Sequence, residues 1–382
     1  YTTFFTNIGG LFTGIWQGLG YWVAQQGVAR GGQPWYYYFV TGSVYELLPI
    51  LFSLLAIFYY LRRMDILGAF LVFWSIATFI AYTYAGEKMP WLLVNITLPL
   101  IFLSGKFLGD VVVSVPWRKI TKDGSIALII STPVAILIGV WILFLYVGGE
   151  FDTSLPNWIL SGTMLALLFL ICVMIYRGNR QTNMLLLLLG LAMFLMGFGT
   201  ISGLRASYSH DDKHKEMFVY AQFSSDVKRI ATSLKHEQLE IEDYGNDTVI
   251  HIDGELRYAF AWYLRENYTN TKYSCFKNNN ESASLPWCSP LNEEPVAKAI
   301  IMTEPHALDS LPYLTSFTKK GPYNHLLWFP EVYKGITISD IAGGLIQRAS
   351  WKSVLDFIIF RNISKDWYNT RFVLYEGLTN GD

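Results

Sequence analysis

The chain has 382 residues, 52% of them hydrophobic and only 15% charged, with a formal net charge of −1. A soluble domain usually carries about 25% charged residues, so composition excludes a chain that is water-soluble throughout. No basic patch suggests nucleic acid, and no Walker loop, nucleotide fingerprint or Ser-His-Asp arrangement occurs.

The charge is unevenly distributed. Residues 1–203 hold ten Lys/Arg and seven Asp/Glu, whereas residues 204–382 hold nineteen and twenty-three and all six histidines. This pattern predicts a polytopic α-helical membrane part followed by a slightly acidic α/β domain. The expected divisions are 1–41, 42–203 and 204–382.

In chain order, "IGGLFTGIWQGLGYWVAQQ" places Leu11, Ile15, Leu19 and Trp22 at helical spacing among glycines and glutamines. It predicts a helix lying in the membrane interface, not one crossing it. Six apolar runs then reach the roughly 20 residues that a bilayer requires. They are expected near 42–61, 66–85, 91–114, 125–147, 157–176 and 183–203. Arg62 and Arg63 follow the first run, Arg118, Lys119 and Lys122 the third, and Arg177 and Arg180 the fifth. Basic clusters mark cytoplasmic loops, so all three point to one orientation. By alternation residues 1–41, the turn "AGEKMPW", the turn "GGEFDTSLPN" and all of 204–382 face outward.

Beyond the last run, strand-like and helical segments alternate. "MFVYAQF", "TVIHIDG", "AKAIIMTE" and "RFVLYEG" read as strands. "SSDVKRIATSLKHEQLE", "ELRYAFAWYLREN" and "WKSVLDFIIFRN" read as helices. Alternation of this kind argues for a small α/β domain.

Several stretches carry chemistry. Glu87 and Lys88 sit in a short outward turn beside Pro90 and Trp91. One reading is an exposed turn with a snorkelling lysine. The other is a membrane-surface site where lysine meets a lipid phosphate and glutamate meets that lysine or a sugar hydroxyl. "VARGGQPWYYY" adds Arg30 and Gln33, with glycines that permit close backbone approach and an arginine suited to gripping phosphate. The four following aromatics fit an interfacial belt as well as a sugar or isoprenoid surface. Glu46, a turn inside the first run, should be paired or face a polar cavity. Lys106 and Asp110, four residues apart, read as a structural pair.

His210 and His214 are spaced to bind a divalent metal if helical, though a solvated linker is the simpler reading and no metal site is assigned. No cofactor is called for. Cys172 falls within a span as a packing residue. Cys275 and Cys288 close a loop compatible with a disulfide in an oxidising compartment. Asn246, Asn267, Asn280 and Asn362 head acceptor sequons for glycosylation on the outward side.

"YTTFFTN", "YWVAQQGVARGGQPWYYY", "YELLPIL" and "YAGEKMPWL" resemble the flippase activity-associated family of archaeal and bacterial membrane proteins. "MFVYAQFSSDV", "AFAWYLRE" and "LLWFPEVY" extend the resemblance into the second half. That family is related to protein O-mannosyltransferases and similar GT-C type glycosyltransferases. The resemblance implies a GT-C-like fold in the cell membrane, with an extracytoplasmic C-terminal domain. It implies transfer of a sugar from a polyprenyl-phosphate donor at the outer membrane face, in protein glycosylation of the cell envelope. In such relatives a carboxylate in the first outward loop acts as base on the acceptor. This chain begins at Tyr1 with no acidic motif before Glu46, so that carboxylate and several spans are expected upstream. Arg30, Gln33, Glu87 and Lys88 would then be donor-binding residues. The expected partners are the polyprenyl-phosphate sugar lipid, membrane lipids and further membrane subunits. Alternatives are a non-catalytic subunit of a larger membrane complex and a protein associated with transport of lipid-linked oligosaccharide.

Overall fold

The computed structural model describes residues 6–29, 31–63, 65–122, 124–210, 215–240, 249–265, 271–275, 289–290, 299–306, 312–363 and 369–377. Two units divide the chain. The first comprises 1–209 with 331–364, and the second 210–330 with 365–382. The first unit ends at 209, where the sequence suggested a division at 204, and it also takes in 331–364.

In the first unit, α1 (Ile8–Val28) is capped by Asn7, whose side chain accepts from the Gly10 amide at 2.8 Å. It is followed by α2 (Tyr37–Tyr45), α3 (Leu47–Arg63) and α4 (Ile66–Tyr84). Then come α5 (Leu93–Ser114), the short α6 (Trp117–Lys122), α7 (Ala127–Gly148), α8 (Leu155–Arg177) and α9 (Arg180–Leu204).

Among the described residues, five helical segments are long and apolar enough to cross a membrane: Ile66–Tyr84, Pro90–Ser114, Ala127–Gly148, Leu155–Arg177 and Arg180–Ser209. They match the last five expected runs. The first expected run, 42–61, is instead divided between α2 and α3, which meet at 107°. The cause is local. Pro49 has no N–H, and in a continuous helix its ring would collide with the Tyr45 carbonyl four residues back. In the first turn of a new helix the missing donor costs nothing. Glu46 therefore sits at a corner, half-buried, and not within a straight span.

Phe52, Ala56 and Tyr60 of α3, Leu71 and Val72 of α4, Leu103, Phe107 and Val111 of α5, and Ala192 and Leu195 of α9 form the helical core. Lys106 and Asp110 do pair, at 3.4 Å, but Lys106 lies nearer Asp65, at 3.0 Å. Asp65 also caps α4 by accepting from the Gly68 amide at 2.7 Å. At Gly190 an added Cβ would come within 2.7 Å of Thr132, so α7 and α9 approach as closely as only glycine allows.

Among the described residues the second unit holds α10 (Ser225–Glu240), α11 (Arg257–Tyr263) and a seven-stranded sheet. Its strands are β1 (Gln222–Phe223), β2 (Ile250–Asp253), β3 (Thr271–Cys275), β4 (Ser289–Pro290), β5 (Ala299–Thr303), β6 (Phe317–Leu327) and β7 (Asn369–Gly377). The order is β1-β6-β7-β5-β2-β3-β4. β5, β2, β3 and β4 run parallel, while β7 and β6 add antiparallel neighbours. Every residue of β2 and β5 is buried, as expected of parallel strands covered on both faces. Alternate residues serve opposite sides. Ile301 and Leu374 join Val227, Ile230 and Phe260 of the helices, whereas Ile300, Met302, Val373 and Tyr375 pack with Leu314.

Of the expected strand "MFVYAQF" only Gln222–Phe223 is a strand. "WKSVLDFIIFRN" is helical as expected, within α13 (Arg348–Phe360), but α13 and the preceding α12 (Ile338–Ile346) belong to the first unit. There the Arg348 side chain donates to the Val147 carbonyl at 3.1 Å, near the end of α7. Arg361, 2% exposed, donates to the Ser202 hydroxyl of α9 at 2.9 Å and to the Phe357 and Ile358 carbonyls. These bonds tie 331–364 to the C-terminal ends of α7 and α9.

Cys172 is free, and Cys275, at the end of β3, is disulfide-bonded. Cys288, the expected partner, lies outside the described residues, as do Asn246, Asn267, Asn280 and His214. Asn362 is exposed immediately after α13. His210 lies 2.6 Å from Glu216, and no cluster of three or more His, Cys, Asp or Glu able to hold a metal is found among the described residues.

Candidate functional site

Three segments of the first unit, far apart in sequence, interlock: residues 26–29 with 31–38 (the end of α1 to the start of α2), the turn 85–89 and the stretch 331–334. Ala29, Gly31 and Gly32 all have positive φ, at 46°, 89° and 53°. The Gly32 amide closes this corner on the Ala29 carbonyl at 2.9 Å. The corner meets the turn that carries Glu87 and Lys88. A Cβ on Gly31 would stand 2.6 Å from the Lys88 carbonyl oxygen, and one on Gly86 would stand 2.3 Å from the Gln26 carbonyl oxygen. The Gln26 side chain also accepts from the Gly86 amide at 2.5 Å. Gly31 of "RGG" and Gly86 of "AGEK" thus serve the approach of the two segments to each other, while Gly32 serves the turn through its positive φ. Sequence reasoning assigned the first pair to the approach of a ligand.

Gln33 is held from both sides of its amide. Its nitrogen donates to Glu331, and its oxygen accepts from the Tyr333 hydroxyl at 3.0 Å. The other carboxylate oxygen of Glu331 pairs with Lys334, which also donates to the Gly31 carbonyl at 3.3 Å. Tyr36 donates to the Tyr333 carbonyl at 2.8 Å, and the Tyr37 and Tyr333 rings lie 5.8 Å apart. Tyr333 is 5% exposed, and burial raises the pKa of its phenol. Both oxygens of Glu331 are engaged, which suits it to clamping Gln33 and Lys334 together and not to taking a proton.

Lys88 is 5% exposed. Its ammonium turns back to the Ala85 carbonyl at the end of α4, where the helix dipole favours a cation. No carboxylate of the described residues lies within 4.0 Å of that nitrogen. Desolvation lowers its pKa. Its one bond among the described residues leaves two of the ammonium's three donors for an anion. Glu87 is half-buried beside it. Arg30, between Ala29 and Gly31, lies outside the described residues.

An apolar cleft of about 350 Å³ opens between α2, α3, α4 and α5. Tyr38 lines it, and the same Tyr38 donates its hydroxyl to the Met89 carbonyl at 3.3 Å. One residue therefore joins the charged turn to the cleft, whose other walls include Phe39, Ile50, Leu54, Phe79 and Ile96. A charged turn bonded through Tyr38 to a hydrocarbon slot suits an amphiphile with a phosphate head.

The structure thus brings Gln33 and the Glu87–Lys88 turn together and leaves Glu46 apart, at the bend between α2 and α3. Sequence reasoning missed Glu331, Tyr333 and Lys334 as site residues. Comparison with family models, curated proteins and solved structures finds no match to this chain, which leaves the interlocked loops and the cleft below them as the ground for its function.

Proposed function

We propose that this chain is a membrane protein of glycosyltransferase type that binds a polyprenyl-phosphate-linked sugar at the outer membrane face. The observation that carries the reading is Lys88, a buried cation with no carboxylate partner in reach among the described residues, in the turn that Tyr38 of the apolar cleft bonds at the Met89 carbonyl. A leaving lipid phosphate needs positive charge held ready where water is scarce, and Lys88 supplies it without rearrangement. The cleft receives the first part of the isoprenoid chain. Gln33, fixed by Glu331 and Tyr333, presents a rigid edge beside the sugar.

Orientation belongs to the same proposal. Segment 331–364 touches the loop before α2 through Tyr333 and the C-terminal ends of α7 and α9 through Arg348 and Arg361, which supports placing these at one end of the bundle. Alternating spans would place the Glu87–Lys88 turn there too. In intact cells and a Cys172→Ala background, Asp152→Cys should react with an impermeant thiol reagent, and Asn179→Cys should not. Reaction at Asn179→Cys from outside would reverse the orientation.

The direct test of function is a binding comparison in non-ionic detergent. A polyprenyl-phosphate sugar should bind, and the polyprenol of equal length lacking phosphate should bind at least tenfold more weakly, since a charge-assisted bond contributes about 1.5–3 kcal/mol. Equal affinity for the two would reduce the site to a hydrocarbon slot.

A further inference from the structure

At the opposite end of the helical bundle a second pocket, of about 540 Å³, opens where α3 and α5 end and α9 begins. We propose that it binds an anionic glycerophospholipid, with the phosphodiester held between Arg63 and Arg180. This site is independent of the donor site, shares no residue with it and lies at the other ends of the helices.

The lining is graded. Arg63, Arg180, Gln181 and Ser114 form the polar part, while Phe107, Val111, Leu185 and Leu188 continue it as an apolar wall along α5 and α9. A headgroup with an attached acyl chain needs that order of surfaces. Free phosphate would have no use for the wall.

Both arginines are available. Neither has a carboxylate within 4.0 Å among the described residues. The Arg63 guanidinium lies 4.7 Å from the centre of the Tyr59 ring, which orients its planar fork without consuming its N–H donors. Arg180 opens α9, but the first free amides there, of Gln181 and Thr182, are already taken by the Asn179 side chain at 2.9 and 3.3 Å. The anion would therefore be held by side chains and not by the helix terminus.

One group in the pocket opposes an anion. Asp110 lines it, yet its Oδ2 accepts from the Tyr60 hydroxyl at 2.7 Å and pairs with Lys106 at 3.4 Å. Lys106 bonds Asp65 as well. Asp110 is thus engaged by Tyr60 of α3 and Lys106 of α5, while the two arginines have no carboxylate partner among the described residues. Basic pockets between helices near a membrane surface suit anionic headgroups for this reason.

The test uses the full chain in non-ionic detergent, titrated with short-chain phosphatidylglycerol, phosphatidylcholine of equal chain length, and inorganic phosphate, with binding read by native mass spectrometry. Phosphatidylglycerol should bind tightest. Arg63→Gln and Arg180→Gln should each weaken it about tenfold or more, the size of one charge-assisted bond. Arg118→Gln, which removes the same charge outside the pocket, should leave it unchanged. Met184→Trp, which fills the pocket without altering charge, should also weaken the lipid. Equal loss in Arg118→Gln would mean diffuse attraction and would overturn the proposal. So would equal affinity for phosphatidylcholine, or displacement of the lipid by equimolar inorganic phosphate.

Discussion

Lys88→Met should lower the affinity for a polyprenyl-phosphate sugar by roughly tenfold to a hundredfold, the loss of one charge-assisted hydrogen bond of about 1.5–3 kcal/mol. Methionine keeps the apolar stem and removes only the charge. Stability supplies the second half of the test. Burial lowers the pKa of Lys88, so the unfolded chain binds the proton more tightly than the folded one. The cost of the buried charge is fully present below the folded pKa and is relieved as pH rises towards the unfolded value. Removing the charge should therefore leave the melting temperature at neutral pH unchanged or raised. A lysine whose role were only to cap α4 through Ala85 would behave oppositely, with melting temperature falling and donor affinity intact. The pH profile of donor binding points the same way: binding should weaken as pH rises through the lowered pKa of Lys88, and it should be flat in Lys88→Met. A donor affinity that the substitution does not change would end the assignment.

The helical runs were legible because span length and apolar composition leave few alternatives, and α4, α5, α7, α8 and α9 appear close to where they were expected. The bend at Glu46 was written in Pro49, but a proline near the start of an apolar run marks a break only when a helix also precedes it. The strand β6 was hidden for a different reason. "FTKKGPYNHLL" has no apolar alternation, and Pro322 lies at a shift of register between Lys320 and Tyr323, where the ladder does not need its missing donor. The site was half legible. Gln33, Glu87 and Lys88 lie in short aromatic or charged loops next to apolar runs, a local signal. Glu331, Tyr333 and Lys334 have no such signal, because their role rests on the return of a distant segment to the helical unit. No shift of composition marks that return at 331.

The glycines of "RGG" allow the interlocked loops to be tested within one motif. Gly31 and Gly32 both have positive φ, at 89° and 53°, so any side chain there carries backbone strain. Their surroundings differ. A Cβ on Gly32 meets nothing nearer than the Lys334 ammonium at 3.9 Å, the far end of a flexible side chain. A Cβ on Gly31 would stand 2.6 Å from the Lys88 carbonyl oxygen, a backbone atom fixed by its own turn. Gly32→Ala should therefore cost only the left-handed penalty of about 1–2 kcal/mol. Gly31→Ala should cost on the order of 3 kcal/mol or more, because strain of about 1–3 kcal/mol is joined by forced separation of two loops. The displacement moves Lys88 relative to Tyr38 and the cleft below, so Gly31→Ala should also weaken donor binding, and Gly32→Ala should not. Thermal unfolding in detergent and donor titration of the two variants separate these outcomes. Equal shifts in both would mean that the loops do not depend on contact at Gly31, and would remove the positioning on which Lys88 relies.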